Sequence, residues 1–62
     1  MPFIDVKLYD RRVNPETTEK IIKELTDGLA RACDDDALKA HTWVVVQGVP
    51  PSQWGIAGTP GS

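Results

Sequence analysis

Apolar and polar residues alternate along the first nine positions of the chain. Ile4, Val6 and Leu8 share one side of the alternation, and Tyr9 ends the opposite, more polar side. A period of two is typical of a β-strand with one face buried and the other open. The pattern therefore predicts a first strand over residues 2–9.

The hydrophobic period changes after a short polar stretch. Asn14 has the side chain of a helix N-cap, and Pro15 suits the first helical position because it lacks an amide hydrogen. Apolar residues then recur at helical spacing, at Ile21, Ile22, Leu25, Leu29 and Ala32. This spacing predicts an amphipathic helix of about 18 to 20 residues that starts after Asn14.

A second run of strand type follows the helix. Residues 42–47 are β-branched or aromatic except for the last. A strand, a helix and a strand in succession predict an α/β fold made of one β-α-β unit, with parallel strands joined by a right-handed crossover. The helix would cover one face of this sheet. The other face would be bare unless a second chain covers it.

The chain carries no charged side chain after Lys39. Both tryptophans, Trp43 and Trp54, lie in this stretch together with Ile56. Glycines flank the segment around Ile56 and predict a hairpin-like turn at residues 54–58. Depletion of charge and enrichment of aromatic residues are typical of the core of a subunit interface, so we expect this stretch to be buried between chains.

Length and composition also indicate a partner subunit. A chain of 62 residues forms a single domain, residues 1–62, and so small a core is usually stabilised by disulfides, a metal or a partner. Cys33 is the only cysteine and His41 the only histidine, which excludes an internal disulfide and a Cys/His zinc site within one chain. We therefore expect an oligomer without a metal, in which Cys33 is a small buried side chain.

Charge and hydropathy argue against two further classes of protein. Seven Lys and Arg against nine Asp and Glu give a net charge of −2, which disfavours a basic nucleic-acid-binding surface. No apolar run approaches the roughly 20 residues of a membrane-spanning helix, and the N-terminus lacks the basic and apolar regions of a secretory signal. Because the cysteine is unpaired as well, the chain is expected in the cytoplasm.

These features occur in a particular order: a proline after Met1, the strand over residues 2–8, an arginine at its end, the helix, the second strand and the turn over residues 54–58 (WGIAG). In this order they resemble the small tautomerases typified by 4-oxalocrotonate tautomerase. The resemblance implies a cofactor-free isomerase that moves a proton between the enol and keto forms of a small unsaturated 2-oxo carboxylic acid. It also implies that protomers pair their sheets into four-stranded dimers, which associate three-fold into a homo-hexamer.

The same resemblance assigns roles to individual residues. It implies that Met1 is removed and that the freed nitrogen of Pro2 is the general base. An α-amine has a reference pKa of about 8, and burial beside cations lowers it toward neutrality. Arg12 matches the arginine that holds the substrate carboxylate, and Arg11 takes this place if the loop contains one extra residue. Trp54 matches an aromatic residue in the wall of the active site.

Trp43 departs from the family pattern, because the best-studied member has a second arginine at the matching position and no arginine follows Arg31 in this chain. Tyr9 and His41 are candidates for the missing hydrogen bond to the substrate. The departure leaves two alternatives open: a non-catalytic subunit of a hetero-oligomeric tautomerase complex, and a dehalogenase or hydratase. The chemistry of the second alternative needs a carboxylate that activates water, and no Asp or Glu follows Asp36.

Overall fold

The computed structural model describes residues 1–61. Its regular elements are two long strands, one long helix and a short C-terminal hairpin: β1 (Phe3–Tyr9), α1 (Pro15–Ala32), β2 (Trp43–Val49), β3 (Gly55–Ile56) and β4 (Thr59–Pro60). Within these residues, short 3₁₀ turns connect the elements at Asp10–Arg12, Asp36–Ala40 and Pro51–Gln53. The chain is therefore a β-α-β unit extended by a hairpin, and the predicted fold class is confirmed.

β1 and β2 form a parallel two-stranded sheet. Their register runs from Phe3 beside Trp43 to Tyr9 beside Val49, and the Trp43 amide donates to the Pro2 carbonyl at 3.0 Å. A parallel pair needs a crossover connection, which α1 provides. β2 extends two residues beyond the predicted strand, so that β1 and β2 end side by side at Tyr9 and Val49.

α1 begins and ends where its local chemistry requires. Asn14 Oδ1 accepts the Thr17 backbone N–H at 2.9 Å, and Pro15 is the first helical residue. The chain leaves the helix through Asp34, whose φ of 51° lies in the left-handed region. The helix has 18 residues, in agreement with the predicted length. Cys33 lies beyond its last turn and is exposed, so the expectation of a buried cysteine is wrong.

One face of the sheet packs against α1. The half-buried strand residues on this face are Ile4, Val6, Leu8, Val44 and Val46. The helix contributes a row of half-buried residues four positions apart, which are Ile21, Leu25 and Leu29, together with the fully buried Ala30. Ile22 and Ala32 are exposed, so the prediction that they belong to this face is wrong. The reason is geometric, because α1 packs chiefly on β2 and a narrow sheet covers only a narrow stripe of a helix.

The opposite face of the sheet is open in the protomer. Phe3 and Trp43, which are neighbours in the register, are 59% and 58% exposed, and Val45 is exposed beside them. Lys7 pairs with Asp5 on the same face. The expected bare face is therefore confirmed, and apolar side chains dominate the half of it that lies nearest Pro2.

An ion-pair cluster connects α1 to the 3₁₀ turn that precedes β2. Lys23 Nζ donates to Asp27 Oδ2 at 2.8 Å, and Lys39 Nζ lies 3.8 Å from Asp27 Oδ1. The hydrogen bond from Lys23, together with its charge and that of Lys39, lowers the pKa of Asp27 below its usual value, although partial burial acts in the opposite direction. The same hydrogen bond raises the pKa of Lys23.

The C-terminal hairpin projects from the rest of the protomer. Ala57 and Gly58 have φ values of 52° and 84°, as in the type I′ turns that join tightly paired antiparallel strands. Ile56 is 66% exposed, and nothing lies within 4 Å of a Cβ atom built at Gly55 or Gly58. The turn predicted over residues 54–58 is thus confirmed as a hairpin, and none of the described residues covers its isoleucine.

The protomer is extended for its size. Its Cα radius of gyration is 14.1 Å, whereas a compact chain of this length has about 10.6 Å. Its accessible surface is 4641 Å², about 700 Å² more than a compact monomer of this mass exposes. A single protomer therefore exposes more surface to solvent than a compact chain of the same size.

Two kinds of feature are absent from residues 1–61. No helix there has both the length and the apolar character that crossing a membrane requires. No three His, Cys, Asp or Glu side chains in this part of the chain are grouped so that they could hold a metal ion.

Candidate active site

Trp54 is held at one end of the sheet by contacts on two sides. Its Nε1–H donates to the Val49 carbonyl at 3.2 Å, and its ring meets the Tyr9 ring at 5.2 Å between centroids. Tyr9 and Val49 are the last residues of β1 and β2 and lie side by side. The indole therefore covers the ends of both strands.

The chain between β2 and Trp54 forms a 3₁₀ turn that brings the indole back to the end of the sheet. Pro50 and Pro51 have the fixed φ that suits the start of a 3₁₀ turn. The Gln53 amide donates to the Pro50 carbonyl at 2.8 Å, and the Trp54 amide donates to the Pro51 carbonyl at 3.1 Å. The Gly61 amide then donates to the Trp54 carbonyl at 2.7 Å. The backbone is thus fixed on both sides of the indole.

Two consecutive arginines follow Tyr9 in the turn after β1. The guanidinium carbon of Arg11 lies over the Tyr9 ring, 5.3 Å from its centroid, which is within cation–π range. Arg12 is the last residue of the turn Asp10–Arg12, and both arginines are exposed. Within residues 1–61 neither forms an ion pair. Their N–H donors are therefore open to an anion from solution.

Gly48 allows the arginine turn to approach the sheet closely. A Cβ atom built at Gly48 would lie 3.1 Å from Asp10 Cα and 3.2 Å from Val13 Cγ2, tighter than ordinary contacts. Gly48 was not among the residues predicted from the sequence. A glycine within a β-branched run is a signal of close backbone approach, and this signal could have identified it. Gly48 supports the site without carrying its chemistry.

Pro2 lies at the opposite end of the sheet. It precedes β1, whereas Arg11 and Arg12 follow it, and the seven residues of the strand span about 23 Å. Pro2 is half-buried, and Met1 before it is 84% exposed. One protomer therefore does not bring the predicted base together with the predicted carboxylate-binding arginines or with Trp54.

The remaining candidate residues divide between the two ends of the sheet. Trp43 lies beside Phe3 at the Pro2 end, on the open face. Tyr9 lies at the other end, within the aromatic pair. His41 is exposed at the C-terminal end of the 3₁₀ turn before β2. The structure thus groups Trp43 with Pro2, and Tyr9 with the arginine turn.

The β-α-β protomer, with two arginines in the turn at one end of its sheet, is typical of a class of small proteins. Comparison of the sequence with family profiles identifies this class. The profile of a family described as "Tautomerase enzyme" matches residues 2–61. The chain belongs to this tautomerase family, and the resemblance found in the sequence is confirmed over almost its whole length. No curated protein gives a significant match.

Solved structures relate the chain to 4-oxalocrotonate tautomerase-like proteins within this family. A candidate 4-oxalocrotonate tautomerase from methicillin-resistant Staphylococcus aureus is similar with a TM-score of 0.80 and 24% identity, over 95% of this chain and 90% of its own. A structure of the 4-oxalocrotonate tautomerase isozymes from Methylibium petroleiphilum gives 0.77 and 25%, with the same coverage. DmpI from Helicobacter pylori gives 0.81 and 23%, over 95% and 88%. All three share the fold of this chain.

Proposed function

We propose that the protein is a cofactor-free isomerase that catalyses enol–keto proton transfer on a small unsaturated carboxylic acid with a 2-oxo or 2-hydroxy group. The observation that carries the proposal is the pair of arginines in the turn after Tyr9, of which Arg11 lies over the Tyr9 ring that also meets Trp54. A guanidinium binds a carboxylate through two parallel N–H donors, and the aromatic rings offer an apolar wall to an unsaturated carbon chain. Membership of the tautomerase family supports the type of reaction.

In this proposal Pro2 is the general base after Met1 has been removed. Met1 is exposed in the protomer, so its peptide bond is open to an aminopeptidase. The freed secondary amine takes the proton of the enol hydroxyl while the O–H electron pair forms the C=O bond and the C=C bond shifts. The protonated amine then returns a proton to carbon. The step needs neither an oxidant nor water, which is consistent with a site that uses no cofactor.

Arg12, or Arg11 in its place, holds the substrate carboxylate during this transfer. The arginine stays protonated throughout, because its pKa lies far above neutrality. Trp54 shields the substrate from water on one side, and a drier site strengthens the contact between guanidinium and carboxylate.

The proposed reaction requires more than one chain, because Pro2 and the arginine turn lie at opposite ends of β1. A second copy must bring its own arginine turn to Pro2 of the first. The open face around Phe3 and Trp43 and the projecting Ile56 offer apolar surface for such contacts. We therefore propose a homo-oligomer, a hexamer made of three dimers. Sedimentation that shows a folded monomer at micromolar concentration would contradict both the assembly and the shared site.

The role of Pro2 is tested by blocking its nitrogen. Intact mass first establishes whether Met1 is absent from the purified protein. A variant with one alanine inserted between Met1 and Pro2 turns the amine into an amide and leaves β1 unchanged. We expect the Met-free protein to tautomerise enolised 2-oxo acids with one or two carboxylates, and the extended variant to be at least ~100-fold slower. Equal rates would exclude Pro2 as the base.

A non-catalytic subunit is the second candidate function, and Trp43 is the observation that favours it. The indole and Phe3 make the Pro2 end of the sheet apolar where a catalytic site would gain from a cation. A non-catalytic subunit would show no tautomerase activity alone and would assemble with a related chain. Retention of Met1 in protein from cells with normal aminopeptidase activity would favour this function.

A further inference from the structure

We propose that Tyr9 is a positioning residue, whose ring holds Arg11 beside Trp54 so that Arg11 gives the bound anion a second guanidinium contact in addition to Arg12. This inference rests on the proposed function only in that the anion is the carboxylate-bearing substrate. It concerns the binding of that anion and not the transfer of the proton.

The Tyr9 ring is packed against residues of two other segments. The rings of Tyr9 and Trp54 meet edge to face, and the Trp54 indole N–H donates to the Val49 carbonyl. On another side, a Cβ atom built at Gly61 would lie only 3.3 Å from Tyr9 Oη. The ring is therefore constrained by β2 and by the end of the hairpin, although it belongs to β1.

The packed Tyr9 ring also contacts Arg11. The Arg11 guanidinium lies over the ring face at 5.3 Å. A guanidinium stacked on a ring uses its planar face, and its N–H donors lie in the plane and remain available. A long exposed side chain is thus restricted to one region without losing its capacity to bind a carboxylate.

The two arginines share one short turn. Arg11 and Arg12 are consecutive in a 3₁₀ turn, in which successive side chains diverge by about 120°. Both side chains are long, exposed and carried by the same short turn, so an anion bound beside this turn lies within reach of both guanidinium groups. Asp10 is the only acidic residue of this turn, and within residues 1–61 it pairs with neither arginine. The turn thus presents an excess of positive charge beside an apolar wall, which suits an anion with an unsaturated stem.

The test compares a carboxylate with its neutral amide. Cinnamate and cinnamamide have the same planar stem, and neither can be tautomerised, so calorimetric titration of the Met-free protein measures binding alone. We expect Arg11→Ala to weaken cinnamate binding about fivefold and to leave cinnamamide unchanged, because only the acid offers a negative charge. Arg31→Ala removes the same charge from α1 and is the matched control, with no expected change.

Variants at Tyr9 separate positioning from a general structural role. Tyr9→Leu removes the ring face and is expected to weaken cinnamate binding about threefold, in line with an exposed cation–π contact. Tyr9→Phe keeps the ring and should bind cinnamate like the wild type. In the Arg11→Ala background, Tyr9→Leu should have no further acid-specific effect, because any loss through the Trp54 contact is shared by cinnamate and cinnamamide. With a reactive enol acid, Arg11→Ala and Tyr9→Leu should raise KM and leave kcat nearly unchanged.

Four outcomes would overturn the proposal. They are equal losses of acid and amide binding in Arg11→Ala, equal losses in Tyr9→Phe and Tyr9→Leu, additive acid-specific losses in the double variant, and no binding of cinnamate to the wild type. If the acid-specific losses occur and the protein still fails to tautomerise enol acids, the proposed function fails and the positioning role of Tyr9 stands.

Discussion

The rings of Tyr9 and Trp54 meet edge to face at an interplanar angle of 74°, although the two residues lie near opposite ends of the chain. Such pairs contribute about 0.5–1.5 kcal/mol beyond apolar burial. The contact attaches the C-terminal hairpin to the end of the first strand. It thereby fixes the indole relative to the arginine turn, and two segments far apart in sequence become one surface.

Arg12 is the first residue whose replacement tests this surface. We expect Arg12→Ala to lower kcat/KM for an enol acid. The loss of transition-state stabilisation should be ~1.5–3 kcal/mol, because a charge-assisted contact to the carboxylate is lost. Arg31→Ala, which removes the same charge from α1, should leave kcat/KM within twofold of the wild type. A larger loss in Arg11→Ala than in Arg12→Ala would show that Arg11 is the main carboxylate-binding residue.

The pH dependence of the rate tests the state of Pro2. In the Met-free protein the amine must be unprotonated to act as a base, so kcat/KM should rise with pH through its pKa. Cations and indole rings contributed by a second chain would both disfavour the protonated amine, and we expect an apparent pKa below about 8. Measurement of kcat/KM between pH 5 and pH 10, values chosen to bracket the ~7.7–8.0 of a free α-amine, gives this pKa. A rate independent of pH over this range would argue against an amine base.

The sequence allowed the regular elements to be predicted because each has a local signal. Alternation marked β1, the cap at Asn14 and the helical spacing marked α1, and the glycines marked the hairpin. The exposure of Ile22 and Ala32 was not predicted, because it depends on how much of a helix a two-stranded sheet can cover, and the exposure of Cys33 depends on where the chain turns away after α1. The close approach at Gly48 likewise depends on a turn that precedes it by many residues. Local patterns can signal that a position is closely packed, as the glycine in the β2 run does, but they do not identify the segment that packs against it.

The site was predicted as a set of residues, and their spatial grouping was not. Pro2 and Arg12 were assigned to one site from the resemblance, whereas the strand between them separates them within a protomer. The contact of Arg11 with Tyr9 was also not foreseen, because it depends on the conformation of a 3₁₀ turn that has no strong sequence signal. Contacts between side chains of different elements can be identified only once the fold is known.

The lowered pKa of Asp27 makes the stability of the fold depend on pH. Its pKa is lowered in the folded protein, chiefly by the hydrogen bond from Lys23. The carboxylate therefore stabilises the fold above its unfolded pKa, and this contribution is lost as the pH falls through the lower, folded value. We expect Asp27→Asn to reduce the free energy of unfolding at pH 7, and the difference from the wild type to shrink below about pH 4.

Urea unfolding at several pH values measures this difference. Glu19→Gln is the matched control, since Glu19 is an exposed carboxylate on α1 without an ion pair among residues 1–61. A destabilisation by Asp27→Asn that persists unchanged at low pH would mean that the variant acts through packing and not through the carboxylate charge.

Gly48 and Gly28 form a matched pair that tests how the arginine turn is supported. A Cβ atom at Gly48 would press on Asp10 Cα and Val13, whereas at Gly28 the nearest group is the flexible end of Arg31 at 3.6 Å. Gly28→Ala should therefore stabilise α1 by ~0.5–1 kcal/mol, the usual gain for alanine within a helix. Gly48→Ala should destabilise the fold by ~1–3 kcal/mol, the usual cost of overpacking. Because the clash falls on the turn that carries Arg11 and Arg12, Gly48→Ala should also raise KM for an enol acid, and Gly28→Ala should not.

Urea unfolding and steady-state kinetics on the Gly48→Ala and Gly28→Ala proteins measure the change in stability and the change in KM. A Gly48→Ala protein with wild-type stability and wild-type KM would show that the turn can move away from β2 without cost, and that its position is not set by this glycine.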